Sequence, residues 1–217
     1  MADARVAGRV IVLNGGSSSG KTTIARKLQE ALDGSWVLVG IDLFIWMVPP
    51  RLMHQADGLD IVDGVLTLGE EFTRLYAAFR GAVATLAREG VDVIVDDVTL
   101  DAARDQQRWH GALEGLDVCW VGVRCAAETV AAREAARGDR PPGIAQRQAT
   151  AVHEGVRYDL EVDTGANDLA QCLGAITDAV RSRWSVDSTV ASNDLPALPL
   201  RSALGADGEI ALAPWER

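Results

Sequence analysis

Lysine is nearly absent from this 217-residue chain; Lys21 and Lys27 are the only two, and every other basic residue is arginine. Acidic residues outnumber basic ones, 31 to 21, for a formal net charge of −10. That balance argues against general binding of nucleic acid or an anionic membrane, which call for a basic surface. Cysteine is scarce too. Cys119, Cys125 and Cys172 are odd in number and widely spaced, with no C-x-x-C pair. The spacing indicates neither a disulfide framework nor a zinc site, and predicts buried free thiols in a reducing compartment. His54, His110 and His153 show no ligand spacing and read as surface or packing residues. No apolar run reaches the ~18 residues that suggest a membrane span, and Met1 to Arg9 holds no apolar signal core. The expected location is the cytoplasm. An N-K-x-D guanine-reading motif is missing, which argues against a GTPase, and no internal repeat is present.

What the chain does have is Gly15-Gly16-Ser17-Ser18-Ser19-Gly20-Lys21-Thr22, a full match to the phosphate-loop pattern. The apolar run Val10-Ile11-Val12-Leu13 precedes it and an amphipathic stretch from Thr22 to Leu32 follows, the strand–loop–helix setting the motif needs. Glycines let the backbone curl so that successive N–H groups converge on a phosphate, and the helix start adds partial positive charge. Residues Gly15 through Thr23 are therefore the expected ATP contacts. Lys21 is expected to be solvent-accessible and to reach the terminal phosphates, with the Thr22 hydroxyl on a magnesium ion.

Hydrophobic residues make up 48% of the chain, enough for one globular domain. Apolar runs at Val10–Leu13, Trp36–Ile41, Val91–Val95, Val118–Val123 and Leu160–Val162 read as strands, near-continuous as strands buried on both faces should be. Between them Phe72, Leu75, Phe79, Val83 and Leu86 recur at helical spacing, as do Leu169, Cys172, Leu173, Ile176 and Val180. Such alternation predicts an α/β fold, a five-stranded parallel sheet with helices on both faces. The segment Leu43–Leu68 lacks sustained period and reads as a loop-and-short-helix excursion. The domain is expected to span residues 1–184, with 185–217 as a tail carrying Pro196, Pro199 and Pro214.

Sheets of this kind bind ligands at the carboxyl ends of their strands. Asp42 stands at such an end, where a carboxylate can take the proton of an attacking hydroxyl; the position also suits an N-cap for a short helix beginning at Leu43. Asp96 and Asp97 follow another strand, where a carboxylate can contact the acceptor or, at Asp97, anchor magnesium; paired aspartates also serve as turn residues. Arg133, Arg137 and Arg140 resemble a small arginine-rich lid that closes over the nucleotide and stabilises the transferred phosphoryl group. Arg133 and Arg140 are the candidate ATP contacts of that lid, and Arg133 and Arg137 its catalytic candidates. A solvated helix face, paired with Glu134 and Asp139, is the alternative. Trp46 and Met53 can wall an acceptor pocket or pack in the core.

Together, Leu13–Thr22, Gly40-Ile41-Asp42, Ile94–Val98, Trp120–Cys125, Ala136–Arg140 and Val152–Asp159 resemble chloramphenicol phosphotransferase over about Arg9 to Val180. The resemblance implies a kinase-type phosphate-loop fold, ATP-dependent phosphorylation of an antibiotic hydroxyl, and a general base at Asp42. The segment from Phe44 to Leu66, where the acceptor should bind, departs from that family's pattern. The expected protein is an antibiotic kinase using ATP and magnesium, with a small-molecule hydroxyl acceptor. Other readings are a kinase of nucleoside antibiotics of the capuramycin type, a shikimate, gluconate or nucleoside kinase, and a non-enzymatic ATP-binding regulator. Arg51 is the only arginine between Lys27 and Arg74, which leans against an anionic acceptor. Nothing in the sequence reports on subunit contacts, so oligomeric state is left open.

Overall fold

Strand and helix alternate from β1 (Val10–Asn14) through α1 (Lys21–Ala31), β2 (Trp36–Gly40) and α2 (Ile41–Met47) to a 3₁₀ turn at Pro50–Leu52. The computed structural model describes residues 6–62, 65–137 and 143–184. A hairpin of β3 (Leu59–Val62) and β4 (Val65–Leu68) follows, then α3 (Glu70–Arg88), β5 (Asp92–Asp97) and α4 (Ala103–Ala112). The order closes with β6 (Val118–Arg124), α5 (Ala127–Arg137), α6 (Ile144–Ala151), β7 (Leu160–Asp163) and α7 (Leu169–Arg183).

Five strands form one sheet in the order β2-β5-β1-β6-β7, and every pair in it is parallel. All five coincide with the apolar runs of the sequence. Side chains alternate across a strand, so successive residues feed two different cores. Val10, Val12, Val93 and Val95 join Phe72, Val83 and Trp109 on the side of α3 and α4. Ile11, Leu13 and Ile94 join Ile24, Leu28 and Ile176 on the side of α1 and α7. Full burial of one such side chain contributes about 1.5–3 kcal/mol, so both layers are needed. A capping box starts α7: Asp168 accepts from Gln171 N–H at 2.8 Å, and Gln171 Oε1 accepts from Asp168 N–H at 2.9 Å.

The excursion is more ordered than its sequence predicts. Antiparallel β3 and β4 make a separate two-stranded sheet in the register Leu59↔Leu68 and Val62↔Val65. Leu59 is buried, and Leu66 and Leu68 pack beside it on the α3 side of the core. Helix α2 buries Ile41 and Phe44. The Phe44 ring lies 5.3 Å from Phe72, 5.0 Å from Tyr76 and 5.1 Å from Phe79. Among the described residues the three thiols are free and buried, and no helix is long and apolar enough to cross a membrane. The expected tail, 185–217, lies outside the described residues.

Candidate active site

The loop between β1 and α1 is fixed from several sides. Gly20 caps α1 at φ 92°, a left-handed conformation that suits glycine, and no acidic residue sits in the first helical turn. Converging N–H groups there favour an anion. Buried Asn14 ends β1; its Oδ1 accepts from Thr99 N–H at 2.9 Å, and its Nδ2 donates to Val152 O at 2.9 Å and to the Tyr158 hydroxyl at 2.6 Å. The same hydroxyl lies in hydrogen-bond contact with His153 Nδ1 at 2.6 Å. Burial, aided by the Arg124 charge, pushes the His153 pKa down to about 4, so the ring stays neutral. On the β7 side the Thr164 hydroxyl donates to Ser19 O at 2.7 Å.

Lys21 departs from expectation. It is buried, and its Nζ donates to Gly16 O at 2.8 Å, so the ammonium folds back over its own loop. The ammonium thus stays beside the N–H groups that would meet a phosphate. Ser19 Oγ is buried without a hydrogen-bond partner, the kind of orphan a phosphate oxygen would satisfy. The loop therefore fits a polyphosphate.

The two aspartates of β5 diverge, as neighbours on a strand must. Asp96 turns to the loop and accepts from the Thr22 hydroxyl at 2.6 Å. Asp97 turns into the core and accepts from the Tyr76 hydroxyl at 2.5 Å, Trp109 Nε1 at 2.5 Å and Val98 N–H at 2.8 Å. Asp97 is only 1% exposed, and burial raises its pKa to about 6. The expectation that Asp97 anchors metal or meets acceptor is therefore corrected, since both of its oxygens are committed to buried donors. Thr22 and Asp96 together form an oxygen pair that suits a hard divalent cation.

Asp42 is exposed in the first turn of α2, one strand away from this pair. Gly40, the residue that precedes α2, lies in register with Asp96. The N-cap of α2 is Gly40 and not Asp42, so the capping role does not apply. Trp46, one turn further on, shares the outer face of α2 with Asp42 and is 60% exposed. Met53 instead is half-buried and packs against the core.

Arg133 is a strut. Its Nη1 donates to Thr164 Oγ1 at 3.1 Å and to Ser18 O at 3.4 Å, and its Nη2 donates to Thr164 O at 2.8 Å. These bonds do not suit a swinging lid. Arg137 lies exposed one helical turn along α5, and Arg140 is outside the described residues. Glu134 is buried and accepts the N–H groups of Gly143 and Ala145 at 2.7 and 2.9 Å. A cavity of about 450 Å³ opens beside Gly20, Thr23, Arg133, Arg137 and Thr164. It lies on the β7 side of the loop, with Asp42 beyond the opposite side.

Gln148, Asn14 and Tyr158 also serve the site; Asn14 and Tyr158 fall in segments of the family resemblance, and Gln148 carries no local sequence signal. Each acts across more than a hundred positions, as in Ser17 N–H to Gln148 Oε1 at 2.9 Å, with a separation of 131.

The model of the chloramphenicol phosphotransferase-like protein family matches residues 8–181. Two Mycobacterium tuberculosis proteins, from strains CDC 1551 and H37Rv, are each 36% identical over 180 residues, covering 73% of this chain and 76% of theirs. Their names propose an O-phosphotransferase. The M. tuberculosis APS kinase, solved with AMPPNP and APS, is 16% identical with a TM-score of 0.58, covering 81% of this chain and 98% of its own. The Deinococcus radiodurans tunicamycin resistance protein is 18% identical with a TM-score of 0.58, covering 80% and 95%. At such identities these two structures speak for the fold, which is that of a phosphate-loop kinase.

Proposed function

The chain belongs to the chloramphenicol phosphotransferase-like family, and from that membership we propose that it transfers the γ-phosphoryl group of ATP to a hydroxyl of an uncharged antibiotic or related natural product. The carrying observation is the placement of Asp42: an exposed carboxylate in the first turn of α2, two residues past the Gly40 that lies in register with Asp96, the partner of Thr22. Adenosine occupies the cavity by Thr23, Arg133 and Arg137, the phosphates lie over the loop, and the reactive end faces Asp42. Arg140 extends the arginine set on the nucleotide. Asp42 accepts the acceptor's hydroxyl proton as its oxygen bonds to the γ-phosphorus and the bond to the leaving ADP oxygen breaks. Lys21 and the loop N–H groups stabilise the charge that shifts onto the β–γ oxygens. A magnesium ion, held by Thr22 with Asp96, would supply further positive charge at those oxygens when bound.

The acceptor lies over the outer face of α2, against the exposed indole of Trp46. A chloramphenicol-like compound fits this surface best, because Arg51 is the only cation of the segment 41–53. Phosphorylation there inactivates the compound in the cytoplasm and confers resistance. A panel of antibiotics and nucleosides, screened for transfer from labelled ATP and for protection of a sensitive bacterium, tests the reading. Transfer to an uncharged hydroxyl compound, lost with Asp42→Asn, supports it. Transfer only to a charged sugar acid or nucleotide, without protection, replaces it with a metabolic kinase.

A further inference from the structure

Ser18 sits at φ 59°, the left-handed region that a residue with a Cβ enters only at a cost. The loop motif demands two glycines, a lysine and a threonine, and leaves Ser17, Ser18 and Ser19 unspecified. Something outside the loop must therefore hold this turn. Two side chains do, one from each direction. After Ser18, its carbonyl and the next one are held by Arg133 and Thr164. Before Ser18, the Ser17 N–H donates to Gln148 Oε1 at 2.9 Å.

Gln148 stands on α6, which is pressed against the loop. A Cβ built on Gly16 would lie 3.1 Å from both the Gln148 carbonyl carbon and its Cβ, so glycine at 16 permits the approach. The helix is itself anchored at both ends. Glu134 accepts the N–H groups of Gly143 and Ala145 at its start. Val152 O, just past its end, accepts from Asn14 Nδ2 and from the Thr99 hydroxyl, both at the sheet edge that carries the loop. Mere packing of α6 would need no acceptor; the amide oxygen is aimed at a single loop N–H.

We propose that Gln148 is a positioning residue for nucleotide binding: its amide oxygen fixes the Ser17 peptide so that Ser18 keeps its left-handed turn and the loop N–H groups stay aimed at the phosphates. The proposal rests on reading this loop as the ATP site, and not on any particular acceptor. Its test is accordingly direct binding of ATP and of ADP, measured by calorimetry without acceptor.

Gln148→Met keeps length and bulk but removes the acceptor. ATP and ADP affinity should each fall about ten-fold, with KM for ATP rising likewise, while kcat at saturating ATP changes less than about three-fold. The same change made in a Ser18→Gly background should cost less than about three-fold, because glycine adopts the turn unaided. Affinity within two-fold of wild type, or an equal loss in both backgrounds, overturns the proposal. If Gln148→Met does not fold, hydrogen exchange at the Ser17 amide of the wild-type, nucleotide-free protein decides. Protection supports the clamp and free exchange overturns it. Failure of the wild type to bind ATP at all would instead overturn the kinase reading.

Discussion

The Thr22 hydroxyl donates to Asp96 Oδ2 at 2.6 Å, joining the first turn of α1 to the end of β5 across 74 positions. The bond aims Asp96 at the phosphate loop, and strand alternation then sends Asp97 into the core. Two adjacent aspartates thus serve different surroundings, Asp96 the loop and Asp97 the core.

Substitution should separate them. Asp96→Ala removes a half-buried carboxylate at the rim of the loop and should lower turnover roughly 100-fold while raising the magnesium requirement, with little change in Tm. Asp97→Ala strands the Tyr76 hydroxyl and the Trp109 N–H in the core, and should cost about 2–5 kcal/mol of stability. Turnover at several magnesium concentrations, paired with thermal unfolding, checks both. A large Tm loss in Asp96→Ala with activity retained would reverse the assignment.

Opposed titrations make a second expectation. Burial holds the Asp97 pKa up at about 6, so the native state binds this proton more tightly than the unfolded chain, whose reference is 3.8. Its contribution to stability therefore falls as pH rises from about 4 to about 6. His153 is held down at about 4 from an ordinary 6.5, so the native state binds fewer protons and stability rises across that window. The two effects nearly cancel in the wild type, each on the order of 1 kcal/mol between pH 4.5 and 6. Relative to wild type, His153→Gln should lose stability with rising pH over that range, and Asp97→Asn should gain it. Denaturant midpoints at the two pH values measure the slopes.

Legibility followed range. The five strands could be read because each is a near-continuous apolar run, and the loop because its motif is local. The hairpin was missed because β3 and β4 are four residues each and lie outside the main sheet. The Asp63-Gly64 dipeptide between the two runs is the signal that would have found it. Helix α4 gave little sign of itself, since only Asp105, Gln106 and Trp109 of its ten residues are buried. Alternation on β5 says that Asp96 and Asp97 part company, but not which one meets the loop. That depends on Tyr76 and Trp109 arriving from α3 and α4. Burial of Lys21 was equally hidden, because it follows from the curl of the loop around the side chain.

Arg133 should behave as a strut and not as a gate. Arg133→Ala removes donors to Ser18 O and to both oxygens of Thr164, so nucleotide affinity and turnover should fall together, each by roughly 10- to 100-fold. Arg133→Lys should recover little, because a point ammonium cannot reproduce a planar fork. Calorimetry and initial rates on the two variants test this. Loss of turnover with nucleotide affinity intact would restore the lid.

Helix α2 presents two faces, and the last prediction turns on their independence. Its inner face is fixed, with Ile41 buried and the Phe44 ring held among Phe72, Tyr76 and Phe79. Its outer face carries Asp42 and, one turn on, the exposed indole of Trp46. An indole in that position adds little to folding, so Trp46→Ala should leave Tm nearly unchanged. As an acceptor contact it supplies apolar area, and its loss should raise KM for the acceptor roughly ten-fold without altering KM for ATP. Asp42→Asn keeps the shape and removes the proton acceptor; kcat should fall about 10²- to 10⁴-fold with both KM values little changed. Steady-state rates with each substrate varied in turn distinguish the two residues. If Trp46→Ala moves the KM for ATP and not that of the acceptor, the acceptor does not lie on this face of α2, and the search for its pocket moves to the hairpin.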